Sequence, residues 1–235
     1  MTATGYATLL RQQLIYYRAR ANEYDHWWLR QGRYDRGAAL NAQWFADAAL
    51  VSAALAAFRP AGRVLELACG TGIWTDQLLP FVTHLTALDG SPEMLAINAA
   101  RLHSPLVRYV EADLFNWQPT EQYDIVFFGF WISHVPPEQF EAFWQLVRSC
   151  LAPNGRVFFV DSRRDQTSTA IDHRLPEPEA TVQRRRLNDG REFQVYKIFY
   201  DPANLTKRLR ELGWDFDIHQ TAHYFIFGHG HQRTA

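Results

Sequence analysis

Apolar residues along this chain follow two different periods, and the change from one to the other divides it. Up to residue 60 the spacing is helical. Tyr6, Leu9, Leu10, Leu14 and Tyr17 recur on one face, and Leu40, Trp44, Val51, Leu55 and Phe58 form a second stripe. The second stripe predicts a helix from about Asp35 to Phe58, stopped by Pro60-Ala61-Gly62. Between the two, Tyr24-Asp25-His26-Trp27-Trp28 and Gly32-Arg33-Tyr34 interrupt the period. No strand pattern precedes Arg63, so residues 1–60 read as a helical cap.

From Arg63 onward short apolar runs alternate with helical stretches. Strands are predicted at Arg63 to Ala68, His84 to Leu88, Leu106 to Val110, Tyr123 to Phe130 and Arg156 to Val160. Ile125-Val126-Phe127-Phe128 is apolar at consecutive positions, the mark of a strand buried on both faces. Helices fit between: Gly72 to Phe81, a Ser91-capped segment from Pro92 to about Leu102, and one opened by Pro136-Pro137-Glu138. This alternation implies an α/β fold with parallel strands joined by right-handed crossovers, whose C-terminal strand ends share one edge.

After Ser162 the pattern changes. A polar stretch to Ala180 reads as a loop or lid, and two strand-like runs flank Asn188-Asp189-Gly190 as an inserted hairpin. A helix from Asp201 to about Leu212 precedes two strands, Trp214 to His219 and Tyr224 to Phe227, close enough to be antiparallel. The whole is one domain, 1–235: cap 1–60, core 61–161, lid and hairpin 162–200, and C-terminal helix and strand pair 201–235.

Composition narrows the function classes. A net charge of −1 gives no electrostatic case for nucleic acid or an anionic membrane surface, and Arg184-Arg185-Arg186 reads as a solvated strand or turn. Two cysteines, Cys69 and Cys150, are too few for a disulfide framework. Met1 to Tyr6 has no signal-peptide pattern and no window reaches membrane-span length, so a cytoplasmic setting is expected. His219, His223, His229 and His231 form no three-ligand metal arrangement, and no metal is expected.

The chemistry concentrates where the first strand meets Gly70-Thr71-Gly72. A glycine turn opening a helix lets backbone approach a ligand. Asp89, at the tip of the second strand, is suited to two ribose hydroxyls, and Asp113, at the tip of the third, to an adenine amino group. A dinucleotide fingerprint needs a third glycine, but Thr75 stands there, no basic residue accompanies the turn, and Glu66 would repel a pyrophosphate. An acid beside the turn suits the ammonium of a methionine moiety.

Glu66-Leu67-Ala68-Cys69-Gly70-Thr71-Gly72, Leu88-Asp89-Gly90-Ser91-Pro92-Glu93-Met94 and Glu111-Ala112-Asp113-Leu114 resemble, in order and spacing, the motifs of class I S-adenosylmethionine-dependent methyltransferases. The resemblance covers about Arg63 to Val160. It implies a Rossmann-like, mostly parallel seven-stranded sheet. Glu66, Ala68, Gly70 and Gly72 would line the methionine half of S-adenosylmethionine, Asp89 would hold the ribose, and Ser91, Met94, Asp113 and Leu114 would meet the adenine. Phe130 matches a backbone position beside the cofactor. The implied reaction is methyl transfer to a small molecule at oxygen or nitrogen, releasing S-adenosylhomocysteine. Two alternatives stand beside it: a protein that binds the cofactor without turnover, and a nicotinamide-dependent oxidoreductase.

Methyl transfer from a sulfonium relies on proximity and orientation, so the acceptor side is harder to read. His134, in Trp131-Ile132-Ser133-His134-Val135 after the fourth strand, is the candidate base; a packed, hydrogen-bonded His is the competing reading. The cap offers Tyr24 and Arg33 toward the cofactor. It offers Tyr16, Trp28, Tyr34 and Trp44, with Trp131, toward the acceptor, although most cap aromatics must also pack a core. Asp161, Arg163 and Arg164 border the same edge or a solvated loop. A monomer and a homodimer both fit.

Overall fold

The structure is a computed structural model and describes residues 3–233, so residues 1, 2, 234 and 235 of the expected end segments lie outside it. The cap consists of helices α1 (Ala3–Arg20), α2 (Tyr24–Trp28) and α3 (Ala38–Phe58). α3 begins three residues later than its apolar stripe predicts. Asp35 accepts from the Gly37 N–H at 2.8 Å and from the Asn41 amide at 2.7 Å, and Gly37 takes a φ of +84° that a helix cannot continue through.

The core follows as β1 (Gly62–Leu67), α4 (Ile73–Leu78), β2 (Val82–Asp89), α5 (Pro92–Leu102), β3 (Val107–Glu111), β4 (Tyr123–Gly129), α6 (Phe140–Cys150) and β5 (Leu151–Ser162). β6 (Val182–Arg186) and β7 (Glu192–Tyr196) form the expected hairpin, which stands as a separate two-stranded sheet. α7 (Pro202–Glu211), β8 (Trp214–Gln220) and β9 (Phe225–Gln232) complete the chain. Among the described residues the main sheet has seven strands in the order β3-β2-β1-β4-β5-β9-β8, with β1 to β5 parallel and the last two antiparallel. β1 lies between β2 and β4, so the strand order reverses there and opens a crevice beyond the C-terminal ends of these strands.

Both faces of the sheet are covered. Phe128 and Phe159 point into one core with Phe143, Trp144 and Trp214, while their neighbours Phe127 and Phe158 point into the other with Phe58, Trp74 and Leu78. The four strand phenylalanines are fully buried, a contribution of about 1.5–3 kcal/mol for each such side chain. A rigid central sheet results, and the crevice residues hang from its ends.

The cap and the 162–200 segment are tied together. Trp27 and Arg30 donate to the Ser168 carbonyl at 2.9 and 3.3 Å, and Arg36 donates to the carbonyls of Gln166, Thr169 and Ala170. α1 lies along β7 on the other side. Among the described residues no helix is long and apolar enough to cross a membrane.

Candidate functional site

β1 ends at a turn in which Ala68, Gly70 and Gly72 all have positive φ. A side chain at Gly72 would strike Asn98 at 2.6 Å, whereas one at Gly70 would meet nothing within 4 Å, so the chain keeps open space on the crevice side. The turn is fixed by Asp89, whose two oxygens accept from the Gly70 and Ser91 N–H groups, each at 2.9 Å. Burial outweighs these bonds and raises the Asp89 carboxyl to about 6.

Behind the turn lies a buried polar chain. Tyr109 donates to Asn98, Asn98 to Thr75 and Thr75 to Glu66, at 2.9, 2.9 and 2.6 Å. Glu66 is 2% exposed, and among the described residues it has no cationic partner. Burial therefore pushes its carboxyl to about 8, with Thr75 opposing and Asp89 adding a smaller push. It borders a small recess with Ala68, Gly70, Tyr24 and Phe130.

A cavity of about 380 Å³ continues from the turn along the sheet edge. Ala68, Gly70, Asp89, Met94, Asp113, Leu114 and Phe130, expected against the cofactor, line it, and so does Trp131, which was expected on the acceptor side. Its roof was not expected: Leu10, Gln13, Leu14 and Tyr17 of α1 close the other side. The i, i+4, i+7 spacing of Leu10, Leu14 and Tyr17 is visible in the sequence and marks this face. Ser91 is fully buried as the N-cap of α5, its hydroxyl oxygen accepting from the Met94 N–H at 3.2 Å.

A second chamber, about 40 Å³, adjoins the first, and Tyr17, Tyr24, Phe130 and His134 border both. Its walls carry Arg20, Arg185 and Lys197 together with Tyr34, Ser162, Ser168 and Thr169. Lys197 is neutralised: its ammonium donates to Asp161 at 3.1 Å and to the hydroxyls of Ser133 and Ser162 at 2.8 and 3.3 Å. Burial lowers its pKa while Asp161 opposes the shift. Arg20 is buried among the rings of Tyr16, Tyr24 and Tyr34 and donates to the Tyr34 hydroxyl; half-buried Arg185 donates to Thr169. Among the described residues neither guanidinium pairs with a carboxylate.

Reading the arginine run as wholly solvated missed Arg185. Strand alternation in β6 exposes Arg184 and Arg186 and turns Arg185 inward, a period-two signal that the run obscured.

Gly72, whose missing side chain would point at Asn98, and Ser91, the buried cap of α5, line no cavity, and further expected site residues also lie elsewhere. Arg33 forms a bidentate pair with Asp172 and donates to the Arg186 carbonyl, which locks the cap to the lid outside both cavities. Tyr16 packs against Leu187, Val195 and Phe193. Trp44 is 1% exposed among Trp27, Trp28, Tyr224 and Phe225, and Trp28 packs on Trp74 beneath the turn. The aromatic mass of the cap went mainly to its own core. Arg163 and Arg164 hold loop carbonyls outside the cavities. His134 sits where expected, at the junction, but both of its ring nitrogens are engaged, by Tyr17 at 2.7 Å and by the Tyr196 carbonyl at 2.5 Å.

Residues 64–155 match the family described as Methyltransferase domain. A trans-aconitate 2-methyltransferase of Escherichia coli is 38% identical over 167 residues, 68% of this chain and 60% of that protein, and one from Shigella dysenteriae is 31% identical over the same length. The chain thus spans about 60% of the length of these curated relatives. A solved DhpI–SAM–HEP complex is 39% identical, with a TM-score of 0.79 over 98% of this chain and all of that one. A DhpI–SAH complex gives 38% and 0.78 over 97% and 98%. The fold alone is shared with a Burkholderia thailandensis 1,6-didemethyltoxoflavin-N1-methyltransferase, 18% identical with a TM-score of 0.61 over 100% of this chain and 92% of that one.

Proposed function

Because this chain belongs to the class I S-adenosylmethionine-dependent methyltransferases, we propose that it transfers a methyl group from that cofactor to an oxygen of a small acidic molecule. The observation that carries the reading is the pair of guanidiniums, Arg20 and Arg185, held without carboxylate partners in a chamber that adjoins the cofactor-sized cavity. Burying a cation is costly unless an anion meets it, so a chamber with two such groups and little room suits a compact anion. The acid for which the trans-aconitate 2-methyltransferases are named fits this direction, as does oxygen over nitrogen, since an oxyanion is already nucleophilic.

The residues around the first cavity fit the cofactor. Glu66 lacks a cation and would receive the ammonium; Asp89, its oxygens already aligned by two backbone N–H groups, would receive the ribose. The adenine would lie between Met94, Asp113 and Leu114. When bound, S-adenosylmethionine supplies an electrophilic methyl group on a sulfonium. Transfer of that methyl to an acceptor oxygen would leave S-adenosylhomocysteine as the second product.

The protein's part is to orient the acceptor and exclude water. Arg20 and Arg185 would fix the anion, while Tyr24 and Phe130, which border all three cavities, set the distance between the two reactants. Such positioning can supply about 7–11 kcal/mol of a barrier. Burial first, then the charge of Lys197, holds His134 well below its usual range and therefore neutral, and its ring nitrogens are already bonded. An ionised acid needs no base, so His134 acts here as a support.

The joined chamber favours turnover over cofactor binding alone, and Glu66 beside the turn disfavours a nicotinamide dinucleotide. Two buried free thiols accord with a reducing, cytoplasmic setting. Release of S-adenosylhomocysteine, followed across a panel of small carboxylic and phosphorus oxyacids and their uncharged amides, tests the proposal. Turnover with acids and none with amides is expected; turnover confined to uncharged acceptors overturns it.

A further inference from the structure

The hydrogen-bond polarity at the junction of the two cavities is fixed by the backbone. The Tyr196 carbonyl can only accept, so the His134 nitrogen 2.5 Å away, Nδ1, carries the ring proton. With the imidazole neutral, Nε2 is left with a lone pair, and the Tyr17 hydroxyl at 2.7 Å must donate to it. Tyr17 has no other proton. Turning that proton elsewhere would leave a buried acceptor unsatisfied.

The geometry is held from both sides. Buried Gln13, one turn before Tyr17 on α1, donates to the His134 carbonyl at 3.2 Å and accepts from the Tyr196 N–H at 3.0 Å. α1, the His134 turn and β7 are thereby clamped as one unit. Charged and titratable groups facing this unit are Tyr16 and Arg20 from α1, Tyr24 from α2, Arg185 from β6, and Lys197 after β7. The cations among them donate only. Tyr34 already accepts from Arg20 at 3.3 Å and keeps its own proton to give.

Tyr17 and Ser168, whose hydroxyl donates to the Asp165 carbonyl at 2.8 Å, have both committed their protons, and of these two only Tyr17 also borders the cofactor cavity, where its oxygen offers lone pairs at the shared mouth. We propose that Tyr17 is a positioning and specificity-determining residue whose oxygen accepts a hydrogen bond from the acceptor, so that the site selects a small oxyanion still carrying a proton over one with none. That proton belongs either to a hydroxyl on the acceptor or to an acid group ionised once. An oxyanion with no proton meets the lone pairs of Tyr17 and is repelled. A protonated one satisfies Tyr17 at one end and the guanidiniums at the other. The inference rests on the acidic-acceptor reading given above.

The test uses full-length protein saturated with S-adenosylhomocysteine and follows anion binding by calorimetry. Glycolate against acetate isolates the hydroxyl, and methyl phosphate at about pH 5, ionised once with one proton left, against about pH 8, ionised twice with none, isolates the acid proton. Wild type is expected to prefer the protonated partner by about tenfold in at least one pair, the scale of one well-placed hydrogen bond. Tyr17→Phe brings that ratio to about unity. His134→Ala frees the Tyr17 proton and removes or inverts the ratio, whereas a merely structural role would weaken both members of a pair equally.

Equal affinity within both pairs for wild type overturns the proposal while leaving the acidic reading in place. So does a ratio that survives both substitutions. If wild type binds none of the anions, the acidic reading itself fails and this inference falls with it. Should Tyr17→Phe not fold, His134→Ala and the wild-type ratios still decide.

Discussion

Asp25 accepts a hydrogen bond from the Thr71 hydroxyl at 2.5 Å, and so ties the aromatic cap directly to the glycine turn of the sheet. Its second oxygen pairs with Arg101 at the end of α5. α2, which carries Tyr24, is thus latched over the turn at the place where the first cavity narrows. Asp25→Ala removes both bonds. S-Adenosylhomocysteine is expected to dissociate about three- to tenfold faster, a loss in keeping with partly exposed bonds to a carboxylate. Stopped-flow fluorescence, with the cap tryptophans as reporters, checks it; an unchanged off-rate would show that α2 does not gate the cavity.

Glu66 sets a proton linkage. It ionises near 4.5 in the unfolded chain and at about 8 in the fold, so between those values the folded protein holds one more proton. Stability without cofactor is expected to fall as pH rises through that window, and Glu66→Gln is expected to flatten the trend in thermal melts. An ammonium beside Glu66 favours the carboxylate, so cofactor binding at about pH 6.5 should release about one proton. Calorimetry in buffers of different ionisation enthalpy measures the release, which Glu66→Gln should abolish. Asp89, at about 6, adds a smaller contribution of the same sign below that pH.

The two guanidiniums predict a separation of cofactor from acceptor effects. Arg20→Gln and Arg185→Gln are expected to raise the acceptor KM by about tenfold to a hundredfold, the range for hydrogen bonds to a charged group, with little change in cofactor Kd. Initial-rate kinetics with each substrate varied in turn distinguishes this from general damage to the fold.

Trp44 makes the opposite prediction. It is enclosed by Trp27, Trp28, Tyr224 and Phe225, with the Arg30 guanidinium 4.6 Å from its ring centre. Trp44→Ala is expected to cost about 3–5 kcal/mol in chemical denaturation while the surviving folded protein keeps its acceptor KM. A selective rise in KM would return Trp44 to the pocket.

The corner of the site was legible because its chemistry is local. A turn with positive φ favours glycine, and the strand-tip acids follow their strands within a residue or two, so Gly70, Asp89 and Asp113 could be placed from spacing alone. Consecutive apolar residues likewise exposed the doubly buried β4. The last strand was harder to bound. Gly228 and Gly230 in Gly-His-Gly-His resemble a loop, yet a side chain at Gly230 would lie 2.2 Å from the Asp215 carbonyl, so close strand packing required glycine and β9 runs on to Gln232.

The second chamber was the least legible part. It is assembled from α1, the turn after β4, the end of β5 and the hairpin, segments far apart in sequence, and no local pattern records that Arg20 and Arg185 face one another's surroundings. Nor could aromatic content separate Tyr34, which reaches the chamber, from Trp44 and Tyr16, which fill the core. Helical spacing identifies a buried face and is silent on whether that face meets protein or ligand.

Tracing the methyl group itself tests the central claim most directly. Full-length protein would be incubated with S-adenosylmethionine carrying an isotopically labelled methyl group and a mixture of small oxyacids and neutral acceptors, and the products resolved by mass spectrometry. The label is expected on an oxygen of a singly or doubly charged small acid, as a base-labile ester, with an equal amount of S-adenosylhomocysteine. Label on the nitrogen or carbon of a neutral acceptor, with none on the acids, would contradict the account.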